Sequence, residues 1–334
     1  PIPRYPNLRM GLPVTGVLLR QWARCRPDIV HIVTEGPLGW SALRAALKLK
    51  IPVTSDFRTN FHAYSHHYGI GWLSRPIAAY LRKFHNRTRM TMVPTESLRK
   101  ELALMGITNA AVVTRGVDTV RFSPLHRSDA LRRQWGVGHA DAVILHVGRL
   151  APEKNLSLLL KAYSAVRQSA CGTKLVIVGD GPLRTQLQSE VPEAIFAGMR
   201  SGDDLSAHYA SADIFAFPST TETFGNVTVE AMASGLAVVA YDYAAASEHI
   251  RDEDNGVLVP FDAGMLFVRE AVQLAGDPAR IARLRAAARQ SAEKLDWARV
   301  VLRLETLLMS VVEAEAMWPV PHPALMSPTL APRP

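Results

Sequence analysis

The 334-residue chain has little of what marks several other classes of protein. Only two cysteines occur, Cys25 and Cys171, and there is no Cys-x-x-Cys pair or Cys/His cluster. This argues against a disulfide framework and a structural zinc site and favours a reducing compartment. No uninterrupted apolar run reaches 18 residues, so no membrane-spanning helix is predicted. The pattern GxxxxGK[ST] is missing as well, which excludes a Walker A loop.

Acidic residues are scarce in the first part of the chain. Residues 1–125 contain 18 Lys and Arg but only 6 Asp and Glu, a net charge of +12, whereas the remainder carries −4. We expect the first part to face an anionic ligand or membrane surface; a solvated basic face is the alternative. Nucleic acid is not favoured, because no aromatic-basic module accompanies the charge. One predicted helix, RPIAAYLRKFHNRTR, carries Arg75, Arg82, Lys83, Arg87 and Arg89.

Two series of alternating strands and helices make up most of the chain. The first runs through DIVHIV, IPVTSDF and MTMVPT, and the second begins at AVILHVG and ends at NGVLVP. Such alternation predicts an α/β protein with two parallel-sheet, Rossmann-like domains facing across a cleft, with ligands at the carboxyl ends of the strands. Residues 121–140 lack a core pattern and predict a linker with a short helix. The predicted units are a first domain (1–125), a second domain (126–300), a C-terminal helix (301–316) and a proline-rich disordered tail (317–334).

The stretch HVGRLAPEKN places two cations after a predicted strand. The strand ends at Val147, Gly148 follows, and a helix is predicted to begin near Pro152. A helix N-terminus binds anions, and Arg149 and Lys154 add two charges whose hydrogen bonds to phosphate are worth roughly 1.5–3 kcal/mol each. The pattern indicates a diphosphate site; a pair of surface cations at an ordinary loop is the alternative.

A second predicted strand ends in glycines. In VIVGDGPLR the strand leads into Gly179 and Gly181. Without a Cβ, these residues allow a backbone to approach closely, either to a ligand or in a tight turn. The pattern by itself favours the structural turn.

The stretch TTETFGNVTVEAMA contains two glutamates eight positions apart. A helix is predicted to begin near Asn226, so that Glu222 lies in the loop before it and Glu230 about one turn inside it. Local geometry does not make them the close pair of a glycosidase. Each carboxylate instead suits the hydroxyl groups of a sugar or ribose, and Gly225 lets backbone N–H groups reach the same ligand. A solvent-facing position is the alternative for Glu230, although its neighbours Ala231–Ala233 are apolar.

Together these stretches resemble the retaining, nucleotide-sugar-dependent glycosyltransferases of the GT-B fold. GRLAPEKN, VGDGP and PSTTETFGNVTVEAMASG carry the resemblance over residues 140–260, and the last contains the E-x7-E pair of that family. Upstream, VHIVTEGPLGWSA, TNFHAYSHHYG and LRKFHNRT are similar to a subgroup, the GDP-mannose-dependent α-mannosyltransferases and their sulfoquinovosyl relatives. Members of that subgroup act on lipid acceptors.

The resemblance implies a role for each matching residue. Arg149 and Lys154 would bind the donor diphosphate and stabilise the leaving nucleotide, Glu222 would hold sugar hydroxyls, and Glu230 would hold the ribose. Either Arg58-Thr59 or His62 would face the reacting sugar. With His62 in that role, the implied catalytic set is Arg149, Lys154, Glu222 and His62. The implied donor-binding set is Gly148, Arg149, Lys154, Gly179, Glu222, Phe224, Gly225, Asn226 and Glu230. The implied acceptor-side set is Arg58, Asn60 and His62.

The chain departs from the family pattern in three places. Many relatives carry a His-Thr pair where this chain has Arg58-Thr59. The usual glycine-rich turn after VVAYD is replaced by YAAASEH, which retains Glu248. A strand and glycine-rich loop expected before DIV are not found, so by comparison with the family the first domain is expected to be N-terminally truncated by about fifty residues. The chain begins with Pro1, which leaves a targeting segment open.

The predicted function is that of a retaining glycosyltransferase that needs no cofactor or metal. It would move a hexose, mannose from GDP-mannose, to a lipid or glycolipid acceptor, in the cytoplasm and peripherally at the inner face of the cytoplasmic membrane. The sequence DED at Asp252–Asp254 has the spelling of a metal-binding DxD but is not expected to bind one. A UDP-sugar-dependent transferase acting on a saccharide, or a catalytically inactive nucleotide-sugar-binding or scaffold protein, are the alternatives.

Overall fold

The computed structural model describes residues 11–58, 74–138 and 141–317. Two parallel sheets, one of four strands and one of six, are covered by helices and form two α/β domains, which confirms the predicted fold class. The elements of the first domain are α1 (Thr15–Arg24), β1 (Val30–Ile32), α2 (Pro37–Lys48), β2 (Val53–Asp56), α3 (Ser74–His85), β3 (Met90–Val93), α4 (Glu96–Leu104) and β4 (Ala110–Val112).

The first sheet follows the order of the sequence, β1-β2-β3-β4, with every pair parallel. Its register aligns Val30 with Val53 and Thr91 with Ala110. Leu43 of α2 and Phe84 of α3 are fully buried in the same apolar cluster as Val30 and Val53. Since each fully buried side chain of this kind contributes ~1.5–3 kcal/mol, the two helices hold the sheet in place.

The connection between the domains is packed more tightly than its sequence predicts. Residues 121–140 were expected to lack a core, but Phe122, Trp135 and Val137 are buried in the main apolar cluster of the second domain. A 3-10 turn at Pro124–His126 and helix α5 (Asp129–Gln134) bring them there. The apolar residues are too widely spaced to show a helical or strand period, which is why the pattern missed them.

The second domain contains all the remaining strands. Its elements are β5 (Val143–Val147), α6 (Leu156–Ser169), β6 (Lys174–Val178), α7 (Arg184–Glu190), β7 (Ile195–Gly198), α8 (Gly202–Ser211), β8 (Ile214–Phe217), α9 (Asn226–Ala233), β9 (Ala237–Tyr241), α10 (Ala244–His249), β10 (Val257–Val259), α11 (Gly264–Ala275), α12 (Pro278–Ala292) and α13 (Trp297–Met317). The predicted disordered tail lies outside the described residues beyond Met317, which is the last residue of α13.

The strand order of the second sheet creates one switch point. The order is β10-β9-β8-β5-β6-β7, so the chain builds outward from β5 first to one side and then to the other. Every residue of β5 and β8 is buried, and apolar clusters fill both faces of the sheet. The loops after β5 and β8 therefore diverge from adjacent strands, which is where open parallel sheets bind ligands.

Helix α13 leaves the second domain and returns to the first. Trp297, Val300 and Leu304 line a cavity together with residues of β2 and β3. Near the other end of the helix, Arg89 of the first domain forms an ion pair with Glu315 at 2.9 Å. The last helix thus bridges the two domains.

The predicted basic helix is shorter than expected. Helix α3 ends at His85, so Arg87 and Arg89 lie in the turn before β3 rather than on the helix. Backbone hydrogen bonds from Arg87 to Phe84 and from Thr88 to His85 close that turn. The five cations are nevertheless all exposed. Within the described residues, no helix is both long and apolar enough to cross a bilayer.

Candidate active site

The loop after β5 supplies the first half of the site. Beyond Gly148 and Arg149 the chain forms a 3-10 turn at Pro152–Lys154, and α6 begins only at Leu156. The helix was predicted to begin near Pro152, and that boundary is wrong by four residues. Asn155, with a left-handed φ of 51°, separates the turn from the helix.

The loop after β8 supplies the second half. Helix α9 begins at Asn226 and Gly225 caps it with a φ of 89°, a conformation that favours glycine. The prediction that Glu222 lies in the loop and Glu230 inside the helix is confirmed. The Lys154 ammonium forms an ion pair with Glu222, and Ser219 Oγ donates to Glu222 Oε1 at 2.8 Å.

Glu153 ties the two loops together. Its carboxylate is almost completely buried and pairs with Arg149. Its backbone carbonyl accepts a hydrogen bond from the Thr220 N–H at 3.3 Å. Both cations that were assigned to a diphosphate are thereby held by acidic partners, Arg149 by Glu153 and Lys154 by Glu222, before any ligand is present.

These loops and the first domain enclose a cavity of about 390 Å³. Most of the predicted donor-binding residues come together in its lining, together with Arg58 from the predicted acceptor side. The lining residues are Arg58, Arg115, Val147, Gly148, Arg149, Glu153, Lys154, Phe217, Thr221, Glu222, Thr223, Phe224, Gly225, Asn226 and Val227. Of the described candidates, Gly179 and Glu230 do not line this cavity.

Gly179 serves to pack the backbone. Its φ is 137°, and a Cβ there would lie 1.9 Å from the carbonyl oxygen of Gly148. Any side chain at position 179 would therefore displace the loop that carries Arg149. Gly179 therefore affects the site indirectly, through its close contact with Gly148.

Glu230 is held within the second domain by a hydrogen bond from a buried tyrosine. The Tyr209 hydroxyl donates to Glu230 Oε2 at 2.9 Å, and burial raises the pKa of the Glu230 carboxyl above its usual value of 4.5. The solvent-facing alternative does not describe this position. A carboxyl group kept partly dehydrated beside a helix N-terminus suits hydrogen bonding to ligand hydroxyls.

The first domain contributes a residue that the sequence argument missed. Arg115 follows β4 and lines the cavity, with its guanidinium 5.9 Å from the centroid of the Phe224 ring. Nearby, Arg58 donates to Asp56 from Nε and Nη2, both at 2.5 Å. The rule that ligands lie beyond the carboxyl ends of strands, applied to the first sheet as well, would have found Arg115. Asn60 and His62 lie outside the described residues.

His146 supports the floor of the cavity without lining it. Its Nδ1 donates to the Ala216 carbonyl at 3.2 Å, and its ring stacks on Phe217. Burial lowers the pKa of His146 to about 4. The ring is therefore neutral at physiological pH and adds no charge beside Lys154.

Among the described residues, no group of three or more His, Cys, Asp or Glu side chains is placed to hold a metal ion. The acids of the DED sequence have partners within the protein. Asp252 Oδ1 accepts from the Leu258 N–H at 2.9 Å, and Glu253 pairs with Arg280. These contacts give the DED segment a structural role in the turn before β10.

The two-domain fold and the two loops are those expected of a GT-B glycosyltransferase. The chain belongs to the family of group 1 glycosyl transferases. The model of that family matches residues 141–277, and a glycosyltransferase family 4 model matches residues 1–121. The two matches cover the two domains that the sheets define. The GT-B arrangement is thus shown by both sequence and structure.

Three relatives show the range of the family. A GDP-mannose-dependent alpha-mannosyltransferase of Mycobacterium tuberculosis is 37% identical over 77% of this chain and 66% of its own length. A sulfoquinovosyl transferase of Arabidopsis thaliana is 31% identical over 89% of this chain and 59% of its own. An alpha-monoglucosyldiacylglycerol synthase of Streptococcus pneumoniae is 32% identical over 69% of this chain and 55% of its own. The chain thus spans about 55–66% of the length of these relatives.

The fold also matches solved structures. The crystal structure of Anabaena HepE in complex with UDP superposes with a TM-score of 0.75 at 20% identity, covering 89% of this chain and 82% of that chain. At this identity the match supports the two-domain fold alone.

Proposed function

We propose that the protein is a retaining hexosyltransferase that transfers mannose from GDP-mannose to a lipid or glycolipid acceptor. The observation that carries the proposal is the meeting of Arg149, Lys154 and Glu222 at the switch point of the second sheet, in a cavity that the first domain closes. The mannosyltransferase relative supports the choice of donor.

The arrangement suits the departure of a nucleoside diphosphate. As the glycosidic bond breaks, negative charge grows on the diphosphate and positive charge on the sugar ring. Arg149, Lys154 and the N-terminus of α9 would stabilise the leaving group, a role that needs no metal ion or other cofactor. Glu222 would exchange part of its ion pair with Lys154 for sugar hydroxyls, and backbone N–H groups at Phe224 and Gly225 would bind the same sugar. Glu230 would accept hydrogen bonds from the ribose.

An apolar groove supports a lipid acceptor. It has a volume of about 530 Å³ and is lined mainly by Phe57, Leu81, Leu98, Leu102, Leu104, Met105, Tyr243 and Phe261. It adjoins the catalytic cavity, because Phe57 precedes Arg58 and Thr220 precedes Thr221 in the respective linings. An acyl chain could lie there with its head group at the donor. The diacylglycerol named for one relative fits the same reading.

The basic surface supports peripheral membrane docking from the cytoplasm. Arg75, Arg82 and Lys83 are exposed on α3, and each would contribute about 1 kcal/mol near an anionic bilayer. Arg89 is partly neutralised by Glu315. The expected result is reversible association that added salt weakens, measured by sedimentation with anionic vesicles; binding that is insensitive to salt would contradict it.

Donor titration and product analysis test the proposal. We expect calorimetry to show tighter binding of GDP-mannose than of UDP-glucose, and transfer to a diacylglycerol glycolipid with the anomeric configuration retained, as read by NMR. EDTA should leave the rate unchanged. Preference for a UDP-sugar and a free saccharide would favour the second candidate. Donor binding without transfer or hydrolysis would indicate an inactive binding protein, and no binding of any donor would refute all three.

A further inference from the structure

The catalytic cavity contains more cations than acids, and one cation differs from the rest. Its lining includes four cationic side chains, and three of them have acidic partners: Arg58 with Asp56, Arg149 with Glu153 and Lys154 with Glu222. The fourth, Arg115, forms no hydrogen bond or ion pair with any described residue. Its guanidinium lies over the face of the Phe224 ring, and the charges of Arg58 and Asp56 act on it from nearby.

Arg115 is held in this position by its surroundings. It follows β4 by three residues, and the next residue, Gly116, packs so closely on Trp297 that a Cβ there would lie 2.9 Å from the indole. Phe224, below the guanidinium, is itself buried. The Arg115 side chain is half-buried; burial and the charge of Arg58 lower its pKa, and the charge of Asp56 opposes that shift in part. A guanidinium fixed in a cleft without an acceptor is ready to bind an anion at little cost in side-chain ordering.

Asp56 is the acid whose charge acts on Arg115, but its carboxylate is hydrogen-bonded to Arg58. The residues outside the described ranges are 1–10, 59–73, 139–140 and 318–334, and they contain no Asp or Glu. All 30 acidic residues of the sequence therefore belong to the described part. Arg115 thus interacts with Asp56 at a distance, and no described acid forms a hydrogen bond or ion pair with it, so its N–H donors are open to a ligand.

We propose that Arg115, together with Arg58, forms a subsite for one anionic oxygen group, a phosphate, sulfonate or carboxylate. This group is carried by the acceptor or by the transferred sugar and is separate from the donor diphosphate, to which the second-domain cations belong. The inference rests on the proposed function, since it assumes that the diphosphate occupies Arg149 and Lys154. The planar guanidinium can donate two parallel hydrogen bonds to such a group, and Arg58 adds a second charge while it stays anchored to Asp56.

The first experiment needs no turnover. Wild-type protein, free and saturated with GDP, is titrated by calorimetry with glycerol 3-phosphate and with glucuronate; glycerol and glucose are the neutral counterparts. We expect at least one anionic probe to bind more tightly than its neutral counterpart. Glycerol 3-phosphate alone would place the anion on the acceptor, and glucuronate alone would place it on the sugar.

Matched variants locate the charge responsible. Arg115→Gln should weaken the bound anionic probe by about 10-fold or more, the loss of a charge-assisted hydrogen bond, and leave GDP affinity within about 2-fold. Arg115→Lys should recover part of the affinity, because it restores the charge without the fork. Arg133→Gln, which removes an exposed cation on α5, should change neither.

The outcomes separate this inference from the proposed function. If no anionic probe binds better than its neutral counterpart, or if Arg115→Gln binds the probes as well as wild type, the subsite is refuted while donor binding stands. If Arg115→Gln weakens GDP by as much as it weakens the probes, Arg115 belongs to the diphosphate site and the inference is wrong. Failure of both GDP and UDP to bind the wild type refutes the proposed function, and the titrations of free protein then decide the subsite alone.

Discussion

Two arginine clusters in this molecule differ in the acceptors that surround them. At the amino end of the second sheet, Arg127, Arg132 and Arg285 converge on the buried carboxylate of Asp213, at distances of 2.9 to 3.0 Å. Each also donates to backbone carbonyls. At the carboxyl end, Arg58 pairs with Asp56 and Arg149 with Glu153, whereas Arg115 has no hydrogen bond or ion pair with a described residue. The arginines at Asp213 thus bond both to a carboxylate and to the backbone, and Arg115 in the cleft keeps its donors for a ligand.

The largest effect on stability is expected from removing the carboxylate at the centre of the Asp213 cluster. Asp213→Ala removes the carboxylate that pairs with three guanidinium groups and accepts the Val143 N–H, and it leaves the buried Arg132 without its counter-ion. We expect the free energy of unfolding to fall by about 3–5 kcal/mol, measured by urea denaturation. Asp203→Ala, at an exposed position on α8, is the control and should cost under about 1 kcal/mol. A loss as small as that for Asp213→Ala would show that the cluster contributes little.

Removing a cation from the cavity should instead spare the fold and affect the chemistry. Lys154→Ala takes away a charge that the proposed function assigns to the leaving diphosphate, and we expect kcat with GDP-mannose to fall by about 10²–10³-fold. Urea denaturation should show a smaller change in stability than for Asp213→Ala. Lys161→Ala, on the exposed face of α6, is the matched control. A kcat within about 3-fold of wild type would exclude Lys154 from the reaction.

Replacing Glu230 should have opposite effects on GDP binding and on protein stability. Because burial raises its pKa, the folded protein loses stability as the pH rises through that pKa, so Glu230→Gln should make the free protein more stable at neutral pH. The same change should weaken GDP binding by about 10-fold or more at pH 7.5, the value of one hydrogen bond to a charged acceptor. It should also abolish the loss of wild-type GDP affinity as the pH falls below the raised pKa.

Calorimetry across pH 5–8 together with urea denaturation measures both effects of Glu230→Gln. Glu305→Gln, on an exposed face of α13, is the control and should alter neither. A Glu230→Gln variant that binds GDP as tightly as wild type would remove Glu230 from the nucleotide site.

The smallest effect concerns the turn that departs from the family pattern. Ala244 begins α10 with a left-handed φ of 55°, which an alanine adopts at a cost of roughly 1–2 kcal/mol. Ala244→Gly should relieve that strain and, after the entropic cost of glycine, raise the stability by about 0.5–1 kcal/mol. Ala286→Gly, within α12 and exposed, should lower it by about 1 kcal/mol. A destabilised Ala244→Gly variant would show that the alanine methyl contributes more than its backbone costs.

The strands and the residues at their ends could be predicted from the sequence. Contacts between residues far apart in the chain could not. Runs of Val and Ile located the strands, and the strand-end rule located Arg149, Lys154 and Glu222, since these positions follow from local order alone. The burial of Trp135 and Arg132 in the connection was not predicted, because their partners lie some 80 residues away. Arg115 was missed for a related reason: in a segment with a net charge of +12, one more arginine carries no signal until a structure shows that the other cations of the cavity have acidic partners.

The return of α13 fixes how the cleft can open. The chain crosses between the domains twice, once after β4 and once before α13, and the two crossings are joined by a hydrogen bond from Val117 N to Leu295 O at 3.0 Å. Trp297 is wedged against Gly116 at the same place. Because the two crossings are joined at one point, they leave rotation of the domains about that point open and restrict sliding and separation. Arg115 lies one residue from Gly116, so the first-domain side of the cavity is anchored next to the point where the two crossings meet.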